Sequence, residues 1–176
     1  MRPPVGLALA VAAAGLAACG SPDGASDRDP AELTPEGMAE VVGEHVDRRP
    51  TSVESWDVMT RELEVESPGA ALRFGDDFLA VAVTPSTENP FVCSDTSFFD
   101  ACVTFSHGGS DLVLAWQELE PEEDPGVVYV ADVRDDEAVL AHYSGVGITG
   151  DPRDLDLGIT VDQMADIVTD ERLTLH

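Results

Sequence analysis

The chain of 176 residues fits one domain once an N-terminal leader and a linker are set aside, and is long enough to bury a sizeable core. Its 35 acidic residues face nine arginines and no lysine, and the formal net charge of −26 speaks against DNA, RNA or anionic lipid headgroups as partners, because each contact would work against like-charge repulsion. Cationic ligands and metal ions stay open, although such a charge serves equally to keep an exported domain soluble.

Lysine codons are A-rich, so the absence of lysine points to a GC-rich bacterial genome. Met1-Arg2 form a short positive start, and Val5 to Ala18 form an apolar run broken only by glycines. A spanning helix needs about 20 apolar residues, so this run suits a cleaved leader rather than a transmembrane segment. It ends in Leu16-Ala17-Ala18-Cys19. This ending resembles the lipobox of bacterial lipoproteins at every position. The resemblance implies cleavage before Cys19, a diacylglyceryl group on the Cys19 sulfur, and placement outside the cytoplasm on the outer face of the cell membrane. Two acyl chains suffice for stable anchoring, since each buried methylene contributes about 0.8 kcal/mol. Residues 19–33 are rich in Gly, Ser, Pro, Asp and Ala without apolar periodicity, and are expected to form a flexible linker after the lipidated cysteine. The globular domain is expected over 34–176.

Within that domain a first helix is predicted over 35–47. Thr34 is its N-cap, Pro35 its first helical residue, and Glu36 complements the positive end of the dipole. Met38, Val41, Val42 and His45 share one face, and Pro50 limits the helix. His45 is a candidate ligand or base, but a histidine at the edge of an apolar stripe usually serves the structure. Seven β-type runs follow, over 62–66, 70–75, 78–84, 101–106, 111–119, 126–134 and 137–144, separated by Pro68-Gly69, Asp76-Asp77, His107-Gly108-Gly109, residues 121–126 and Asp135-Asp136. Such short connections favour antiparallel neighbours. The nearly all-apolar Leu112 to Trp116 reads as a strand covered on both faces. A last helix is announced by the capping box of Thr160 and Gln163, with Val161, Met164, Ile167 and Val168 as its buried stripe. The expected fold class is therefore α+β, an antiparallel multi-stranded sheet with an N-terminal and a C-terminal helix packed on it.

Cys93 and Cys102 remain as an even pair in an oxidising compartment and are expected to form a disulfide. A redox dithiol usually reads C-x-x-C, and a metal site needs further ligands nearby. Four further stretches carry side chains suited to chemistry. Ser106, His107, Ser110 and Asp111 cluster, and His107-Gly108-Gly109 resembles part of a lipase oxyanion loop, but no G-x-S-x-G elbow occurs and two glycines suit a hairpin turn. Glu118, Glu120, Glu122, Glu123 and Asp124 supply oxygen ligands without the order of a calcium loop, as does the stretch 151–158. His142 has no recognisable second ligand. No P-loop, G-x-G-x-x-G or H-E-x-x-H motif is present, and no cofactor is implied.

The C-terminal stretch from Ser144 onwards resembles the ends of small uncharacterised lipoproteins of high-GC actinobacteria, a likeness that implies no activity. The reading is a lipid-anchored, non-catalytic binding or accessory domain of the cell envelope, partnered by the membrane through Cys19 and by another envelope protein. The alternative is a binder of a cationic ligand or divalent metal through the acidic loops. An enzyme centred on His107 comes third.

Overall fold

The computed structural model describes residues 29–56, 67–85, 93, 99–120 and 125–176. Cys19, the leader and the strand expected over 62–66 lie outside the described residues. Helix α1 spans Pro35–His45, with Thr34 Oγ1 accepting a hydrogen bond from the Gly37 N–H at 3.1 Å. It stops two residues earlier than the pattern predicts, because Val46 turns to extended geometry while its N–H still bonds the Val42 carbonyl. The strands are β1 (Ser52–Ser55), β2 (Gly69–Phe74), β3 (Asp77–Pro85), β4 (Ala101–His107), β5 (Ser110–Gln117), β6 (Val127–Val133) and β7 (Glu137–Ser144), and helix α2 spans Val161–Val168. The α+β class expected from the residues is the class observed.

The seven strands among the described residues form one antiparallel sheet in the order β1-β2-β3-β7-β6-β5-β4. Two meanders, β1 to β3 and β4 to β7, therefore meet where β3 pairs with β7 over eight residues, from Phe78 opposite Ser144 to Pro85 opposite Glu137. Several turns follow local chemistry. Gly108 and Gly109, at φ +61° and +99°, make the two-residue β4–β5 turn that an L side chain resists. Gly69 is not a turn residue, contrary to expectation; it opens β2. A Cβ there would sit 2.8 Å from the Trp56 carbonyl oxygen, so the glycine lets the backbone at Trp56 close on the sheet. Strand β1, with its polar Ser-Val-Glu-Ser run, carries almost no apolar signal and exists through its pairing with β2.

Alternation divides the sheet into two faces. On one, Leu72, Leu79, Val81, Val130, Leu114 and Tyr143 meet Met38, Val41 and Val42 of α1 and Met164, Ile167 and Val168 of α2. Each such buried side chain contributes about 1.5–3 kcal/mol. The α2 capping box forms as expected: the Gln163 N–H donates to Thr160 Oγ1 at 3.2 Å and the Thr160 N–H to Gln163 Oε1 at 3.0 Å. The linker expected over 19–33 ends sooner than its composition suggests. The Ala31 N–H donates to the Arg172 carbonyl at 3.0 Å, and Ala31 and Leu33 pack on the core, so 29–33 is held by contacts from the C-terminal tail.

Two polar nodes lock the ends of this core. Tyr143 is fully buried and donates from Oη to Asp77 Oδ1 at 2.6 Å, while Arg48 donates to Asp77 Oδ2 at 2.7 Å and the Gly158 N–H to Tyr143 Oη at 3.2 Å. Burial and the Asp77 carboxylate push the Tyr143 phenol up to about 12. Glu137, 3% exposed, accepts from Arg134 Nη1 (2.8 Å), the Leu175 N–H (2.6 Å) and Thr174 Oγ1 (3.2 Å). Burial alone would raise its carboxyl, but these bonds outweigh it and hold the group below the usual range. Arg134 also reaches the Leu173 and Val168 carbonyls, at 2.9 and 3.1 Å, and so ties α2 and the tail to the β6–β7 hairpin.

Gly158 approaches the Asp77 carboxylate so closely that a Cβ would clash with both of its oxygens. Gly158→Ala is expected to lower stability by about 2 kcal/mol and Tyr143→Phe by about 1–2 kcal/mol, read from denaturant midpoints. A Gly158→Ala midpoint equal to wild type would remove the node from the account.

Candidate functional site

His107 closes β4, and its neighbour Ser106 points to the other face of the sheet because side chains alternate along a strand. Ser106 Oγ donates to Asp111 Oδ1 at 2.7 Å. The His107 ring instead turns to α2, with Nε2 2.7 Å from Asp166 Oδ1 and Nδ1 3.9 Å from Asp162 Oδ1. Nucleophile-base contact between Ser106 and His107 is therefore not made, and each hydroxyl or imidazole has its own carboxylate. A Ser–His–carboxylate relay needs serine and carboxylate on opposite nitrogens of one ring, which this arrangement does not supply. His107 acts as a brace between the β4–β5 hairpin and α2. Ser110 pairs with it across the turn.

His45, at the end of α1, is a second brace. Its Nε2 lies 2.9 Å from Asp170 Oδ2, and its carbonyl accepts from Gln163 Nε2 at 3.3 Å, joining the end of α1 to α2. Asp170 also accepts from Arg172 Nε (2.9 Å), Nη2 (2.8 Å) and backbone N–H (3.0 Å), and Arg172 reaches Glu44 Oε1 at 2.8 Å. Burial opposes ionisation of Asp170, yet the Arg172 and His45 contacts hold its carboxyl far below the ordinary range. The bonds to Asp170 and Glu44 raise the Arg172 guanidinium in turn. Along this edge of α1 runs a groove of about 380 Å³ whose rim carries Glu32, Glu36, Glu40 and Glu44. Arg172 answers only the last of these charges.

Of the acidic run near the β5–β6 connection, Glu118 and Glu120 are described and Glu122, Glu123 and Asp124 lie outside the described residues. Among the described residues no group of three or more His, Cys, Asp or Glu is placed to hold a metal ion, and no helix is long and apolar enough to cross a membrane. Cys93 and Cys102 form a disulfide with a Cα–Cα distance of 5.4 Å. It fastens the start of β4, and closing a loop of sequence separation 9 contributes about 2–3 kcal/mol in the chain-entropy model.

The face of the sheet away from the helices holds an arrangement that linear reading missed. Register places Ala71, Ala80, His142, Tyr129, Ala115 and Cys102 in one row across six strands. The His142 imidazole stacks on Tyr129 with centroids 4.6 Å apart and planes at 24°, and the rings of Trp56 and Phe78 each lie 5.7 Å away. Phe99 meets Tyr129 edge-on at 5.3 Å. Ala80, Ala82, Ala131 and Leu140 form a floor that is at most 1% exposed, while Phe78, Phe99, Tyr129 and Val113 are half-buried at its margins. His142 is thus a member of an aromatic cluster on an alanine floor. The available signal was the alternation of 78, 80 and 82 with 140 and 142, which becomes a site only once β3 is set beside β7.

Comparison with protein-family models, with characterised proteins and with solved structures gives no match for this chain.

The Asp170 geometry carries a pH dependence whose sign is fixed. A carboxyl depressed on folding contributes stability that is fully present above its unfolded value of about 3.9 and is lost as pH falls through the folded value. Asp170→Asn is expected to cost about 3 kcal/mol near neutrality, with the difference from wild type shrinking steadily below about pH 4. A constant difference from pH 7 to pH 2 in urea titrations would contradict this role.

Proposed function

We propose that the chain is a lipid-anchored, extracytoplasmic, non-catalytic binding module of a bacterial cell envelope. The observation that carries the reading is Leu16-Ala17-Ala18-Cys19 at the end of an apolar run, followed by a polar stretch before the domain. A thioether-linked diacylglyceryl group on Cys19 would tether the domain at the outer face of the membrane. The disulfide between Cys93 and Cys102 agrees with an oxidising compartment.

Binding rather than catalysis is supported by where the side chains go. Ser106, His107 and His45 are engaged in bracing contacts with Asp111, Asp166 and Asp170. Half-buried Phe78, Phe99 and Tyr129 are the residue types on which protein interfaces draw. The large negative charge favours a cationic partner and opposes nucleic acid.

Cys19→Ser is expected to move the protein from the membrane fraction to the soluble fraction and to remove the mass of the acyl chains from its mature N-terminus. Unchanged membrane association of the serine variant would overturn the anchor and the envelope address with it.

A further inference from the structure

The two edges of the sheet are built differently. Edge strand β1 is four residues long and carries the exposed charge of Glu54, two devices that discourage pairing with another chain. Edge strand β4 is seven residues long, contains neither proline nor an Asp, Glu, Lys or Arg, and among the described residues pairs on one side only, with β5. Alternate residues of such a strand turn N–H and C=O groups outward. Among the described residues, no backbone bond outside the β4–β5 ladder involves Ala101–His107. Thr104 and Ser106 are exposed.

An unpaired edge would ordinarily fray, yet β4 is fastened at both ends. The Cys93–Cys102 disulfide holds its start and the His107–Asp166 contact of 2.7 Å holds its end, while Val103 and Phe105 pack on the main core between them. A strand held straight before a partner arrives spares that partner the ordering cost.

The charge around this edge is of one sign. Residues 99–120 contain no arginine or lysine. Asp100 precedes β4, Asp111 faces Ser106 across the hairpin, and Asp162 and Asp166 of α2 flank His107, their side chains 85% and 52% exposed. Two copies of this edge would bring these carboxylates together without a compensating cation, so self-pairing is disfavoured.

We propose that β4 is a docking edge for β-strand addition, and that its occupant is an extended segment of another protein bearing lysine or arginine at its ends. Backbone bonds to β4 would supply the affinity and the flanking carboxylates the selectivity. The proposal does not depend on the anchor, so the Cys19→Ser protein is expected to bind as the wild type does.

The test uses the mature full-length protein in detergent and two seven-residue probe peptides of alternating threonine and valine, one flanked by lysines and the other by glutamates. Titration of the lysine probe is expected to slow amide exchange in β4 at least tenfold, with the glutamate probe binding at least tenfold more weakly and added salt reducing the difference. Thr104→Lys should weaken the lysine probe tenfold or more, whereas Thr104→Glu, which tests tolerance of a charge at the same exposed site, should retain it. Equal binding of both probes, or none, would overturn the proposal. So would protection, in the free monomer, of the outward-facing β4 amides that do not bond β5, which would mean that the chain covers its own edge, or a dimer paired through β4.

Discussion

The pairing of β3 with β7 is the constraint on which the rest of the molecule depends. The chain finishes one meander at β3, crosses to the far edge to begin β4, and returns strand by strand until β7 lies against β3. Every other strand pair among the described residues joins neighbours in sequence; this one closes a separation of more than fifty residues. Both faces of the seam are buried. Leu79, Val81 and Val83 with Val139, Ala141 and Tyr143 meet the helices, while Ala80 and Ala82 with Leu140 form the floor beneath the aromatic cluster. A one-residue slip would send the large residues to the alanine face and expose the helices to small ones, so burial fixes the register.

Around that seam a strongly acidic chain uses its few cations with economy. Arg48, Arg134 and Arg172 each connect segments distant in sequence: Arg48 the chain after α1 to Asp77, Arg134 the β6–β7 turn to the carbonyls of α2 and the tail, and Arg172 the tail to Glu44 and Asp170. His45 and His107 do the same between α2 and its neighbours. Buried carboxylates such as Glu137 are tolerated because hydrogen bonds replace the water they lose. Charge near the β4–β5 hairpin is left without arginine, which gives the sheet a chemical polarity from one edge to the other.

Much of the fold was legible because its signals are local. Thr34-Pro35 and the Thr160–Gln163 capping box marked both helix starts, and β7 was bounded correctly over 137–144 by Asp135-Asp136 and its apolar run. What escaped was non-local. Strand β1 has no apolar pattern of its own and forms only against β2; residues 29–33 read as linker because the partners that hold them, Arg172 and the core, lie at the opposite end of the chain. The aromatic cluster draws Trp56, Phe78, Tyr129 and His142 from four separate segments, and no spacing in one dimension anticipates it. Conversely, the tempting Ser106-His107 dipeptide was a product of adjacency, since neighbours on a strand face apart.

If the β3–β7 seam holds the two meanders together, its amides can exchange only when the whole molecule unfolds, whereas edge strands open locally. Native-state hydrogen exchange measured residue by residue tests this directly. The account predicts that Ala80 to Val83 and Val139 to Ala141 share the highest opening free energy, equal to that of global unfolding, with β1 and β4 well below. Exchange of the seam by a smaller opening, while either meander stays protected, would contradict it.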